Sequence, residues 1–184
     1  MKIGVLAVQG AFIEHEHIIE KIGHEVVEIR QRKDLDGIDG IILPGGESTV
    51  QGQLIRKLDM LATIKSLITD GLPTLATCAG LILLAGHIDN DDSIHIGTLP
   101  VTVKRNAYGR QLGSFVRTAP MKGFDKFPMT FIRAPYISSI KDNVDVLAAV
   151  DDRTVAVQYN NQIGLAFHPE LSGDTRIHEY FISL

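Results

Sequence analysis

The sequence predicts an α/β fold: a mostly parallel sheet in three layers, with helices on both faces. Three observations predict it. Short apolar runs rich in Val, Ile and Leu alternate with helix-period segments through the first half. Turns bearing Gly or Pro follow the ends of several of those runs, as at Pro44-Gly45-Gly46. The chain of 184 residues is 45% hydrophobic, enough for one substantial core. Such alternation puts strands side by side and a ligand site at their carboxyl ends.

The elements follow in order. Residues 2–7 (KIGVLA) are an apolar strand, and 11–22 a helix with Phe12, Ile18, Ile19 and Ile22 on its apolar side. Residues 25–29 and 40–43 are further strands, the second a short buried run before the Pro-Gly-Gly turn. Helices are expected over 48–58 and 60–69, then a strand over 73–77 and an apolar helix over 81–85. Asn90 to Ser93 is an acidic surface turn. From about Thr98 the pattern turns to strands at 99–104, 112–116, 129–132, 144–149, 154–159 and 162–167. A final helix covers 174–182. No repeat, low-complexity tract or linker interrupts the chain, so residues 1–184 are expected to form one domain.

The only cysteine, Cys78, stands between the strand at 73–77 and the helix at 81–85. A lone cysteine forms no intrachain disulfide, so it serves packing or thiol chemistry. A thiol at a strand-to-helix elbow sits where free N–H groups and the helix dipole favour thiolate. Taken alone, the segment fits a small buried hydrophobe equally well.

A candidate base lies in QIGLAFHPEL, where a strand ends at His168 and Pro169 stops its ladder. In extended backbone His168 and Glu170 point the same way, and a carboxylate beside an imidazole fixes its tautomer. Cys78, His168 and Glu170 thus make a nucleophile, a base and an orienter. A strand-end histidine followed by a solvated glutamate is the plain alternative. GIDGIILPGGEST supplies an oxyanion candidate, because paired glycines let N–H groups approach a ligand closely. The N–H groups of Gly46 and Ala79 would hold the negative oxygen. An ordinary helix cap by Glu47 or Ser48 also fits that segment. It is not a phosphate-binding Walker loop, since it lacks the Gly-Lys-Ser/Thr ending.

Six strings carry a resemblance that runs nearly end to end. They are VQGAFIEH (8–15), PGGEST (44–49), TCAGLILL (77–84), RNAYGRQLGSF (105–115), FIRAP (131–135), and FHPEL with HEYF (167–171 and 178–181). With them the chain resembles the class I, or triad, glutamine amidotransferases. More narrowly it resembles the PdxT-type glutaminase subunits of pyridoxal 5'-phosphate synthase. The resemblance implies a class I amidotransferase fold and a catalytic triad of Cys78, His168 and Glu170. It implies substrate binding by Gly46, Glu47, Ser48, Arg105, Ile132 and Arg133. Of the two arginines, Arg105 is the better match for the α-carboxylate of L-glutamine, and Gln9-Gly10 would help set the oxyanion loop. It also implies delivery of ammonia to a separate PdxS-type synthase subunit, with twelve of these chains on a dodecameric core, and no cofactor.

Other classes fit less well. A net charge of −4 offers no attraction for nucleic acid. The amino-terminal run is not a signal peptide, and no stretch approaches the roughly 20 apolar residues of a membrane span. One cysteine suits a reducing, cytoplasmic setting. No metal site is expected, because His15 and His17 point to different faces of one helix. His15 is expected near a partner surface, and His24, His87, His95 and His178 to be structural or solvated. Two rivals stand beside the amidotransferase reading. A stand-alone cysteine hydrolase of related fold would not need GGEST, RNAYGRQ and FIRAP together. A non-catalytic regulatory subunit would not need an intact Cys78, His168 and Glu170.

Overall fold

Strands and helices alternate at the start of the chain because apolar β-rich runs there are separated by helix-period segments. The computed structural model describes residues 1–106, 113–141 and 143–184. In chain order the first elements are β1 (Lys2–Leu6), α1 (Phe12–Lys21), β2 (Glu25–Ile29), β3 (Gly40–Leu43), α2 (Ser48–Lys57) and α3 (Leu61–Thr69). Next come β4 (Thr74–Thr77), α4 (Ala79–Leu84), β5 (Ala85–Ile88) and β6 (Leu99–Lys104). The later part comprises β7 (Ser114–Met121), β8 (Phe124–Ile132), β9 (Tyr136–Ile140), β10 (Asp145–Val150), β11 (Arg153–Tyr159), β12 (Gln162–Leu165) and α5 (Arg176–Ile182).

The main sheet runs β2-β1-β3-β4-β12-β11-β9-β6-β5, with β10 paired on β11. From β2 to β12 every pairing is parallel. Beyond β12 the strands pair antiparallel, except that β5 lies parallel to β6. Every residue of β3, β4 and β12 is buried, so successive side chains are covered on both faces. The α/β expectation with helices on both faces therefore holds. No helix among the described residues is long and apolar enough to cross a membrane.

Three departures have local causes. The strands expected at 112–116 and 129–132 are parts of a longer hairpin, β7–β8, that forms its own two-stranded sheet. Pro120 and Pro128 suggest breaks, but a two-stranded ribbon leaves each strand an open edge where proline loses no ladder bond. Leu112 lies outside the described residues. β9 lies where the sequence pattern predicts no strand, because Ser138 and Ser139 dilute the apolar pattern. So does β5, since Ala85 opens that strand where the helix expected at 81–85 would end.

The hairpin matters for the site. Phe127 and Phe131 of β8 meet Phe167 with ring centroids 6.0 and 5.7 Å apart, all three fully buried. The backbone N–H of His168 donates to the carbonyl of Thr130 at 2.8 Å. The segment following β12 is therefore held from the hairpin side as well as by β4.

Candidate active site

Cys78 follows β4 directly and has φ 48° and ψ −101°, a conformation that L-residues rarely adopt. Its N–H donates to the carbonyl of Leu165 at 2.8 Å, which holds the elbow to β12. Gly80 lets α4 leave at once, since a Cβ there would lie 1.9 Å from the Leu43 carbonyl oxygen. The sulfur, on a residue 7% exposed, lies 3.9 Å from the carbonyl oxygen of Ile132.

His168 Nδ1 donates to Glu170 Oε1 at 2.6 Å, in a pair that is almost wholly buried. With Nδ1 so engaged, Nε2 is the nitrogen left to hydrogen-bond the Cys78 sulfur. Burial pushes the imidazole pKa down. Hydrogen bonds to Cys78 and Glu170, and their charges, outweigh it and bring the pKa up to about 10. The extended geometry expected for 168–170 is corrected: Pro169–Leu171 is a 3-10 turn. Proline at its first position suits that turn, and the turn rather than strand alternation brings Glu170 back beneath His168.

A second layer lies behind the carboxylate. His15 is fully buried, which corrects the expectation that it sits near a partner surface. Its Nε2 lies 3.4 Å from Glu170 Oε2 and 3.3 Å from Thr77 Oγ1, and its Nδ1 lies 2.9 Å from His178 Nε2. His178 is likewise fully buried.

The loop after β3 closes over the other side. Ala11 N–H donates to the Gly45 carbonyl at 3.0 Å, and Glu47 N–H to Gln9 Oε1 at 2.8 Å. Gln51 Nε2 donates to the Gln9 carbonyl at 2.9 Å, so Gln9 sets the loop as expected. The Glu47 carboxylate caps α2 through the N–H groups of Thr49 and Val50. Gly45 faces the imidazole so closely that a Cβ would lie 2.3 Å from His168 Cε1. Gly45→Ala is therefore expected to displace the ring and cost about a hundredfold in any turnover that depends on His168. Steady-state assay beside a thermal melt checks this, and wild-type activity would contradict it.

These elements enclose a cavity of about 570 Å³ lined by Gly46, Glu47, Ser48, Cys78, Ala79, Arg105, Ile132, Arg133 and His168. Every expected site residue is thus in its wall, save Glu170, which lies behind His168. Cys78, Asn106 and Arg133 all have positive φ, so backbone strain gathers at this wall. Arg105 Nη1 pairs with Asp91 Oδ2 at 3.1 Å. Its Nε and Nη2 are buried without a hydrogen-bond partner among the described residues. The turn at 90–93 is therefore more than a surface turn: Asp91 anchors a cavity arginine. Of RNAYGRQLGSF, residues 107–112 lie outside the described residues.

A family model, the SNO glutamine amidotransferase family, matches residues 5–184. The chain belongs to the SNO glutamine amidotransferase family. It is 58% identical over 183 residues to the pyridoxal 5'-phosphate synthase subunit PdxT of Desulfitobacterium hafniense, covering 99% of this chain and 92% of that relative. It is 50% identical over 188 residues to the Streptococcus pneumoniae subunit of the same name, covering 100% of this chain and 97% of that one. A crystal structure of a glutamine amidotransferase superposes with a TM-score of 0.94 at 38% identity, covering 98% of this chain and 97% of the other.

As an SNO glutamine amidotransferase the chain needs a nucleophile, a proton-transfer group and a grip on an amino acid, and the cavity offers residues for each. Sequence reasoning missed Asp91 and the closeness of His15 and His178 to the carboxylate. The acidic run Asn90 to Ser93 was the only signal for Asp91. Buried histidines carry no pattern that separates them from solvated ones.

Proposed function

We propose that this SNO glutamine amidotransferase hydrolyses L-glutamine to L-glutamate and ammonia through a thioester on Cys78. The ammonia goes to a PdxS-type synthase subunit that makes pyridoxal 5'-phosphate. The observation that carries the chemistry is Cys78 and His168 in the wall of one cavity, with His168 Nδ1 held by Glu170 Oε1 at 2.6 Å. The partner reading rests on relatives named as synthase subunits at 58% and 50% identity.

The steps follow from that pair. His168 takes the thiol proton, and the sulfur attacks the side-chain carboxamide carbon. The N–H groups of Gly46 and Ala79 hold the oxyanion. The imidazolium returns its proton to the nitrogen as the C–N bond breaks, and ammonia leaves a γ-glutamyl thioester. Water then gives a proton to His168 and attacks the thioester; thiolate departs, is reprotonated, and glutamate is released. Glu170 holds the ring and steadies its charge throughout.

Arg105, in the cavity wall and held by Asp91 through Nη1, meets the substrate α-carboxylate. Gly46, Glu47, Ser48, Ile132 and Arg133 complete the pocket. Because Asp91 holds the guanidinium, Asp91→Asn is expected to raise KM for glutamine about fivefold to tenfold with kcat little changed. A variant with unchanged KM would remove Asp91 from recognition.

The chain acts as one cytoplasmic domain docked on a dodecameric synthase core. Ammonia release from glutamine, measured with and without that subunit, tests the whole reading. Stimulation by the subunit, and protection of Cys78 from alkylation by glutamine, are the expected results. Full turnover without the subunit, or equal turnover of unrelated amides, would favour the stand-alone cysteine hydrolase instead.

A further inference from the structure

We propose that His15 is a positioning residue for the amidotransferase reaction: as a neutral Nε2–H donor it holds the second oxygen of Glu170. The inference rests on Glu170 being the orienter of His168.

The hydrogen bookkeeping leads there. Glu170 uses Oε1 to accept from His168, which leaves Oε2 in the interior. Oε2 is buried without an ordinary hydrogen-bond partner among the described residues, and the polar atom facing it is His15 Nε2 at 3.4 Å. Which nitrogen of His15 carries hydrogen is decided one residue further back. His178 Nδ1 is buried and has no partner among the described residues. A buried N–H left unpaired is rarer than an unpaired acceptor, so Nδ1 is the bare nitrogen of His178. His178 Nε2 therefore carries hydrogen and donates to His15 Nδ1, 2.9 Å away. That makes Nδ1 of His15 an acceptor and fixes its hydrogen on Nε2, which bonds Thr77 Oγ1 at 3.3 Å and lies 3.4 Å from Glu170 Oε2.

Both rings stay uncharged. Burial holds the His15 pKa well below its ordinary value, with His178 and His168 adding to the effect, and burial brings His178 down to about 4. Charge matters here because a second cation beside Glu170 would compete with the His168 imidazolium for one carboxylate. A neutral donor orients the carboxylate and leaves its charge for His168. The chain of contacts is then His178, His15, Glu170, His168 and Cys78, contributed by α5, α1 and the ends of β12 and β4.

The test uses the full-length chain, assayed for ammonia release with the synthase subunit present. His15→Leu is expected to lower kcat about ten- to a hundredfold, the range a hydrogen bond to a charged group carries. KM for glutamine should stay within about threefold. The far-downfield proton resonance of His168 Nδ1–H should shift or vanish in a protein whose other resonances persist. His15→Gln, which again offers an N–H at that depth, should recover most of kcat and the resonance. If His15→Leu does not fold, His178→Leu reads the same resonance after removing only the group that fixes the tautomer, and a shift is again expected. Wild-type kcat with an unmoved resonance in the variant that folds would overturn the proposal. Equal losses in His15→Leu and His15→Gln would overturn it too, leaving His15 as packing alone. Activity surviving Cys78→Ala would instead sink the triad beneath it.

Discussion

Cys78→Ala is expected to lower glutamine-dependent ammonia release by a factor on the order of 10⁴ or more, with the fold intact. The cause is specific to the sulfur. Alanine keeps a Cβ at the elbow, where φ is 48°, so the backbone strain there is unchanged. The N–H to Leu165 that ties the elbow to β12 is also retained. What disappears is the only atom in the cavity able to form a thioester, together with one of the two partners that raise the His168 pKa. Ammonia assay, glutamine binding by calorimetry and a thermal melt check the three parts separately. Residual activity above about one part in a hundred would mean that the amide is not opened by this thiol.

Glu170→Gln is expected to lower kcat by about 10³ to 10⁴, by analogy with loss of the carboxylate in other triads. It should also move the pH profile, and the sign can be worked out. Burial opposes charge on His168, whereas its bonds to Cys78 and Glu170 favour it and hold the pKa near 10. Removing the carboxylate charge leaves burial less opposed, so the pKa falls toward neutrality. The alkaline limb of kcat/KM, where imidazolium is lost, then shifts to lower pH. Stability follows the same sign. A pKa raised on folding contributes stability that is full below about 6.5 and is lost as pH rises toward 10. Glu170→Gln flattens that alkaline loss, and melts recorded between pH 6 and 10 would reveal it. An alkaline limb that stays in place would show that another group titrates there.

The parallel half of the fold was legible because β1 to β4 are apolar runs closed by turns, and burial on both faces leaves little else for them to be. β5 and β9 were not, because AGHI and YISSI are mixed runs whose strand state depends on neighbours far away in sequence. The site divides in the same way. Cys78, Gly46 and His168 follow strand ends, where a local pattern already implies a turn. Asp91 reaches Arg105 only because β5 and β6 lie parallel, with Ile88 beside Val103. His15 and His178 meet across 163 residues, on two helices whose packing no local pattern encodes. Glu170 reaches His168 through a 3-10 turn that replaces the extended backbone the sequence predicts.

The pairing of β12 with β4, which sets Leu165 beside Thr77, places Cys78 and His168, the proposed nucleophile and base, on neighbouring rails of one scaffold. Half of the proposed substrate contacts come from elsewhere: Arg105, Ile132 and Arg133 belong to the stretch between α4 and β12, whereas Gly46, Glu47 and Ser48 follow β3. In the proposed reading, part of the recognition is thus carried by a stretch separate in sequence from the reactive pair. Changes to that stretch that spare the Thr130 carbonyl, which holds the His168 backbone, are therefore expected to alter which amide is admitted before they disturb the pair.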